Sequence, residues 1–260
     1  MSVSKGWPWA LLGALVLAQI CYPLTSGGTR AAITVATVVL GYLLSVTHAL
    51  LTRGPRAALA LIGTATLGGF AVEAIGVATG FPFGTYDYSG QLGPKVLGVP
   101  LIIPLAWTWM AWPAWLAAQR LPVARWARIG LAAFGLAAWD LFLDPQMVAE
   151  GYWQWQSPTP ALPGVPGIPI GNYLGWLGFA VVLMTALSFL SRVHEPRPGD
   201  TPMLALWLWT YASSVLAHAV FLGLPASAAW GGVLMGAAVL PVVLQLRRSG
   251  SPLEAARGRP

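Results

Sequence analysis

Long apolar segments separated by short polar connections dominate this sequence. Eight of them are close to the roughly 20 apolar residues that a helix needs to cross a bilayer core about 30 Å thick. Backbone polar groups must find partners inside lipid, so each segment is predicted to be a helix. The predicted helices cover residues 7–24, 30–51, 57–79, 98–120, 123–142, 171–191, 202–222 and 225–246.

This pattern predicts an all-α, polytopic membrane protein with about eight transmembrane helices. Residues 1–246 are expected to form a single transmembrane domain, and residues 247–260 a basic, disordered cytoplasmic tail. Lys5 followed by an apolar stretch is also typical of a secretory signal. No small-residue cleavage pattern follows that stretch, so we expect the first segment to remain as a helix.

Basic residues are distributed unevenly between the connections, which predicts the orientation. With the N-terminus in the cytoplasm, only Arg30 and Lys95 of the 14 basic residues fall on the outer side. Both termini are therefore expected inside the cell, with the protein in the cell membrane. The net charge of +6 would otherwise indicate an acidic partner or nucleic acid. Because the charges mark orientation, no nucleic-acid partner is expected.

Composition excludes several classes of protein. Hydrophobic residues make up 57% of the chain and charged residues 8%, against about 25% charged residues in globular domains. This excludes a disordered chain and an ordinary cytosolic enzyme. The single cysteine, Cys21, excludes an internal disulfide and a cysteine-rich metal site. No phosphate loop, dinucleotide fingerprint, HExxH or CxxC pattern is present, so we expect neither a metal nor a cofactor.

The rare acidic residues concentrate toward the predicted outer side. Glu73 lies within the third predicted helix, Asp140 in the last turn of the fifth, and Asp144 one turn later. An Asp at the centre of a membrane helix costs about 2.5–3.5 kcal/mol on insertion scales, so such residues are usually functional. If the fifth helix continues to Asp144, both aspartates share one face. The alternative is that Asp144 caps or bends the chain before Pro145 and faces water.

Chemistry gives this aspartate pair a possible role. Like charge, the dipole of the helix C-terminus and a low dielectric all favour the protonated form of a carboxyl group. A carboxylic acid held protonated is what general-acid chemistry on an unactivated alkene requires.

Two long outer connections, residues 80–97 and 143–170, are rich in aromatic residues, Gly and Pro. Long ordered loops are often functional, although Trp and Tyr also form interfacial belts in any membrane protein. Asn172 opens the sixth predicted helix, where it caps that helix or orients a water. His218, toward the outer end of the seventh, joins the acids or is a hydrogen-bonded structural residue.

A short pattern occurs twice. Residues 98–101 (GVPL) lead to residues 105–107 (LAW), and residues 167–170 (GIPI) lead to residues 174–176 (LGW) at identical spacing. Each copy opens a helix after one of the long loops. The repeat predicts a duplicated helix–loop–helix unit, or only the common preference for Pro at a helix start.

Four sequence blocks together resemble a known family. They are residues 81–88 (FPFGTYDY), 98–100 (GVP), 140–145 (DLFLDP) and 151–155 (GYWQW). In this order and helical context they resemble the CruF-type integral-membrane carotenoid 1,2-hydratases, most strongly over residues 67–176. The resemblance implies cofactor-free addition of water to the terminal C1=C2 bond of an acyclic ψ end group, as in lycopene or γ-carotene, giving a 1-hydroxy carotenoid. It also implies a carotenoid substrate within the bilayer, contact with membrane lipid and association with other carotenoid enzymes.

The reaction needs an acid to protonate C2, aromatic faces to stabilise the cation at C1, and a base for the attacking water. Asp140 or Asp144 is the candidate proton donor, and Glu73 or the partner aspartate is the candidate for positioning water. The candidate substrate contacts are Tyr86, Asp87, Tyr88, Trp139, Trp153, Trp155, Asn172 and His218.

Three other functions remain open from the sequence. A membrane lycopene cyclase would form the same cation and capture it with an internal alkene. A UbiA-type prenyltransferase would need a second Asp-rich motif and acids facing the cytoplasm, and the chain has neither. A transporter would need polar residues that continue to the inner face, and the third and fifth predicted helices carry only Thr64 and Thr66 there.

Overall fold

The computed structural model describes residues 3–249, and within them the chain forms eight helices, as predicted. Short π-helical stretches lie within the third helix, at Ile62–Leu67, and directly after the seventh, at Ala217–Phe221. Residues 250–260 of the predicted tail lie outside the described residues. The helices are α1 (Val3–Cys21), α2 (Gly27–Arg53), α3 (Pro55–Thr79), α4 (Ile103–Gln119), α5 (Arg125–Ala149), α6 (Ile170–Ser191), α7 (Thr201–Leu216) and α8 (Pro225–Ser249).

Across the described part of the chain, seven of these helices are long and apolar enough to cross a membrane, so the protein is a polytopic membrane protein. The exception is α4, which has 17 residues. Sixteen of these, all except Leu105, are buried, because α2, α3, α5 and α7 pack around α4. Its tryptophans meet glycines of the neighbouring helices: Trp109 lies against Gly41 of α2, and Trp107 against Gly69 of α3. Small residues let membrane helices approach closely, so α4 is the core of the bundle.

Helix α5 continues well past the predicted end at residue 142, to Ala149. Pro145 has no N–H to donate to the carbonyl of Leu141, a loss that ordinarily kinks or breaks a helix. The hydroxyl of Ser227 on α8 instead donates to that carbonyl at 2.6 Å. A neighbouring side chain thus replaces the missing hydrogen bond, as membrane helices require. The continuous helix puts Asp140 and Asp144 on one face, as the sequence predicted for this case.

The start of α4 was predicted at residue 98, five residues too early, because residues 98–100 belong to a hairpin. The two long loops, residues 80–102 and 150–169, contain all six short strands of the described chain. These are β1 (Tyr86–Tyr88), β2 (Lys95–Val96), β3 (Val99–Pro100), β4 (Trp153–Trp155), β5 (Ala161–Leu162) and β6 (Val165–Pro169). Strands β2 and β3 pair within the first loop, and β5 and β6 within the second.

The two loops are joined to each other. Strand β1 pairs with β4 in antiparallel register, with Asp87 opposite Gln154. We call the end of the bundle that carries these loops the loop end.

The opposite end, which we call the arginine end, carries the connections after α2, α4 and α6. A buried ion pair joins Arg53 to Asp200 at 2.6 Å, and Arg120 lies 3.5 Å from the same carboxylate. The guanidinium of Arg197 donates to the carbonyl of Thr52 at 2.7 Å. These contacts fix the start of α7 against the ends of α2 and α4, away from the predicted site.

Candidate active site

The three predicted acids lie inside the bundle in its loop-end half. Glu73 and Asp144 are each 3% exposed, and Asp140 is fully buried. Glu73 is held by α3, whereas the two aspartates are held by α5. The structure thus brings together residues that are distant in sequence.

Three donors surround the carboxylate of Glu73. The hydroxyls of Tyr86 and Tyr88 donate to Oε2 at 2.6 and 2.8 Å, and the indole N–H of Trp107 donates to Oε1 at 2.9 Å. Burial, together with the nearby Glu73, raises the pKa of both tyrosines, so each phenol keeps its proton and acts as a donor. Both tyrosines come from β1, so the pairing of β1 with β4 positions them above Glu73.

One amide links the two aspartates. The Nδ2 of Asn172 donates to Oδ2 of Asp140 at 2.9 Å and to Oδ2 of Asp144 at 2.5 Å. The indole N–H of Trp153 donates to Oδ1 of Asp144 at 3.1 Å. Oδ1 of Asp140 is buried and has no hydrogen-bond partner among the described residues. Asn172 therefore bridges the aspartates and, contrary to one of the two sequence-based interpretations, does not cap α6.

Among the described residues, no basic side chain neutralises these acids. Within residues 3–249, neither lysine nor arginine forms an ion pair with Glu73, Asp140 or Asp144. The loop-end cations are engaged elsewhere, because Arg30 pairs with Glu150 and the ammonium of Lys95 donates to a backbone carbonyl. Without a cation, a buried carboxylate depends on hydrogen bonds to offset the cost of burying its charge, and a bound proton relieves that cost where hydrogen bonds are few.

A cavity opens beside the acids. Glu73, Asp144 and Asn172 line it, whereas Asp140 lies behind Asn172 and does not. The lining includes five of the predicted aromatic residues: Tyr86, Tyr88, Trp139, Trp153 and Trp155.

The other two predicted substrate contacts, His218 and Asp87, form hydrogen bonds with groups other than the three acids. His218 lines the cavity, but its ring nitrogens lie 2.8 and 3.0 Å from the backbone carbonyls of Ser214 and Phe142. Asp87 is exposed, accepts a hydrogen bond from Gln156 and does not line the cavity.

A further aromatic surface lines the cavity, of which the sequence predicted Trp139 as a substrate contact but not the other three residues. We call it the tryptophan cluster: Trp107 and Trp109 of α4, Trp139 of α5 and Trp176 of α6. Trp107 and Trp176 stack with their ring centroids 3.7 Å apart, and Trp139 meets Trp176 edge to face at 6.3 Å. Trp107 and Trp176 are the tryptophans that end the two copies of the repeated pattern, and that repeat was the signal in the sequence.

A comparison with models of protein families identifies the family of this chain. The carotenoid biosynthesis protein family matches residues 29–243. The chain belongs to this family. The CruF-type resemblance is thereby confirmed, and Glu73, Asp140, Asp144 and Asn172 all fall within the matched residues.

A curated relative of this carotenoid biosynthesis protein carries a more specific name. The chain is 34% identical over 156 residues to bisanhydrobacterioruberin hydratase of Haloarcula japonica. The aligned part covers 57% of this chain and 51% of that protein, so the chain spans about half the length of the relative it matches. No solved structure matches the chain.

Proposed function

We propose that this carotenoid biosynthesis protein is a carotenoid 1,2-hydratase. It adds water to the terminal C1=C2 bond of an acyclic ψ end group, of the lycopene or γ-carotene type, and the product is a 1-hydroxy carotenoid. The observation that carries the proposal is the bridged aspartate pair, which lies beside a tryptophan-lined cavity and forms no ion pair within the described part of the chain. The relationship to a hydratase supports addition of water over the other reactions of the same cation.

Asp144 is the proposed proton donor. Of the two aspartates it is the one that lines the cavity, so its carboxyl group touches an end group bound there. Two carboxyl groups that share one amide donor in apolar surroundings favour one proton between them. That proton passes from Asp144 to C2, the π electrons of the alkene form the new C2–H bond, and C1 becomes a tertiary cation. Asp140 accepts the other hydrogen bond that Asn172 donates, and we propose that it is a positioning residue.

The tryptophan cluster is proposed to stabilise the cation at C1. Cations bind over the faces of aromatic rings, and tryptophan is the strongest of the three aromatic residues in this respect. The stabilising free energy of such a contact rises to about 2 kcal/mol or more where water is excluded. Trp107, Trp139 and Trp176 are each no more than 6% exposed, so their surroundings are dry.

Glu73 is the proposed base. Its carboxylate faces three hydrogen-bond donors and accepts from all of them, which suits an ionised group. Water attacks C1 through its oxygen, and Glu73 takes the proton that the water loses. The proton on Glu73 then returns to Asp144 through solvent, so the cycle is redox-neutral and consumes only the alkene and one water.

Pigment analysis tests this proposal. The gene is expressed in lycopene-accumulating cells, with an empty-vector culture as the control. We expect a pigment heavier than lycopene by one water, or by two where both ends react. A cyclised pigment of unchanged mass would instead favour the lycopene cyclase, and unchanged lycopene would count against both.

We also propose that the protein lies in the cell membrane with its arginine end in the cytoplasm. The basic residues of the described chain, apart from Arg30 and Lys95 in the loop-end half, lie toward the arginine end, and cytoplasmic connections are enriched in Lys and Arg. The cavity and the acids then lie in the outer half of the bilayer.

A further inference from the structure

The cavity has a second polar wall, formed by helices that carry none of the three acids. Hydroxyl-bearing side chains line it at one-turn spacing on α2 and α7. We call this surface the hydroxyl wall: Thr34 and Thr37 of α2, and Thr210, Ser213 and Ser214 of α7. The mechanism proposed above uses none of these residues.

Several polar atoms at this wall are buried without a partner. Among the described residues, nothing forms a hydrogen bond with Oγ1 of Thr37, Oγ1 of Thr210 or the indole N–H of Trp109. Thr210 is only 2% exposed, so bulk solvent does not reach it. A buried polar group left unpaired costs about 1–3 kcal/mol, and proteins rarely leave several together. A hydrocarbon chain in the cavity cannot provide the missing partners, whereas water can.

The hydroxyl wall adjoins the tryptophan cluster. Gly41 follows Thr37 by one turn on α2, and the ring of Trp109 packs against it. Trp109 in turn meets Trp139 edge to face at 5.5 Å. The unpaired atoms of Thr37 and Trp109 therefore lie at the edge of the surface over which the cation is proposed to form, and Thr210 lines the same cavity.

We propose that the hydroxyl wall binds the water that adds to C1. This inference rests on the proposed hydration. It gives a binding site to water, the second substrate of that reaction. The proton donor Asp144 comes from α5 and the hydroxyls from α2 and α7, so the proton and the water reach the alkene from different walls. A hydroxyl both donates and accepts, so it holds a water while the water lone pair faces C1. The proton that this water loses passes to Glu73.

Deuterium distinguishes capture of the cation from its formation. The cation at C1 has two fates, which are addition of water and loss of a proton that regenerates an alkene. In D2O the proton donor delivers deuterium to C2, so an alkene regenerated by loss of a proton retains deuterium. Membranes containing the full-length protein are incubated with lycopene in D2O, and mass spectrometry measures hydrated product and deuterium in the recovered hydrocarbon at early times.

For the Thr37→Val/Thr210→Val variant, which removes two hydroxyls and nearly preserves shape, we expect hydration to fall about tenfold. The ratio of deuterium in recovered hydrocarbon to hydrated product should rise about tenfold, because the acids still form the cation. Thr37→Ser/Thr210→Ser retains both hydroxyls and should restore both values toward those of the wild type. Thr64→Val is the matched control, since that hydroxyl bonds to the carbonyl of Ala60 outside the cavity.

Three outcomes would overturn the inference. Wild-type hydration and an unchanged deuterium ratio in the double valine variant would show that the wall is not needed for water. Parallel loss of hydration and of deuterium incorporation, in a variant that extracts and elutes like the wild type, would assign the wall to substrate binding. Failure of the double serine variant to recover would assign it to packing. Absence of hydrated product from the wild-type protein would instead contradict the proposed function.

Discussion

Asp140 and Asp144 share a helix face and an amide donor, but they are not equivalent. Asp144 lines the cavity and accepts a second hydrogen bond, from Trp153. Asp140 lies behind Asn172, and its Oδ1 has no partner among the residues that the structure describes. A group that transfers a proton must reach the reacting carbon, whereas a group behind it acts only through its neighbour.

Substitution of the two aspartates should therefore give unequal losses. We expect Asp144→Asn to lower hydration of lycopene at least a hundredfold, since a positioned general acid contributes roughly 10²–10⁴-fold. Asp140→Asn keeps a polar side chain beside Asn172, and we expect it to lower hydration only about tenfold. The measurement is the rate of formation of the 1-hydroxy product in membranes, normalised to the amount of protein.

Glu195→Gln is the matched control, because Glu195 is an exposed carboxylate at the arginine end and should leave the rate unchanged. Equal losses in Asp140→Asn and Asp144→Asn would contradict the assignment of the donor. Full activity in both would remove the aspartate pair from the mechanism.

At the residue scale, the sequence was sufficient to predict the acids but not their partners. Rare acids in apolar segments stand out because each is expensive to bury. The bridge formed by Asn172 and the stack of Trp107 on Trp176 join different helices, so no local pattern specifies them. Tryptophans in a membrane segment are also expected at the interface, which concealed a cluster that lies in the core.

At the scale of elements, the first long loop is seated against α6 by a backbone contact. A Cβ added at Gly175 would lie 2.6 Å from the carbonyl oxygen of Pro82 and 3.0 Å from the ring of Phe83. The carbonyl of Phe83 accepts the indole N–H of Trp155, at 2.8 Å. The absence of a side chain at Gly175 therefore lets the loop reach both α6 and the second loop.

We expect Gly175→Ala to move this loop and to lower both stability and activity. Overpacking of a closely packed contact costs about 1–3 kcal/mol, so the thermal midpoint in detergent should fall by several degrees. Hydration should fall as well, because Tyr86 and Tyr88 follow in the same loop and hold Glu73.

The matched control for this variant is Gly178→Ala, one turn further along α6, where an added Cβ meets no atom within 4 Å. A Gly178→Ala protein that melts and reacts like the wild type, beside an impaired Gly175→Ala protein, would support the contact. Equal behaviour of the two would contradict it.

The end of α5 shows that local sequence signals are not sufficient to predict where a helix ends. The apolar segment predicted an early end of α5, at residue 142, and Pro145 beyond it removes one hydrogen bond from the helix. The hydroxyl of Ser227, on a helix much later in the chain, supplies that bond. The number and order of the helices follow from hydropathy alone, whereas such an end depends on a partner that only the tertiary structure brings near.

At the scale of the whole molecule, the two copies of the repeated pattern meet each other across the site. Trp107 and Trp176 occupy the same place in each copy, and they stack. The two loops that precede these copies pair through β1 and β4. A shared preference for Pro at helix starts predicts neither contact, so the structure favours a duplicated helix–loop–helix unit. Each unit then contributes its acid to a common cavity.

The orientation in the membrane is a prediction that the thiol chemistry of this chain can test, because Cys21 is its single cysteine. Cys21→Ser removes the native thiol, and one new cysteine is then added at each end. Gly90→Cys lies at the loop end, where an added Cβ meets no atom within 4 Å. Glu195→Cys lies at the arginine end, at an exposed position. Both sites are expected in water, where thiols react with maleimides as thiolates.

A membrane-impermeant maleimide added to intact cells should label Gly90→Cys and leave Glu195→Cys unmodified. After permeabilisation, both should be labelled, which verifies that the inner thiol is reactive. Ten of the 12 basic residues in the described part of the chain lie on the side that this topology assigns to the cytoplasm, and reversal would move all ten across the membrane. Labelling of Glu195→Cys alone in intact cells would reverse the orientation and move the cavity to the cytoplasmic half of the bilayer. The acids would then have to exchange protons with the cytoplasm.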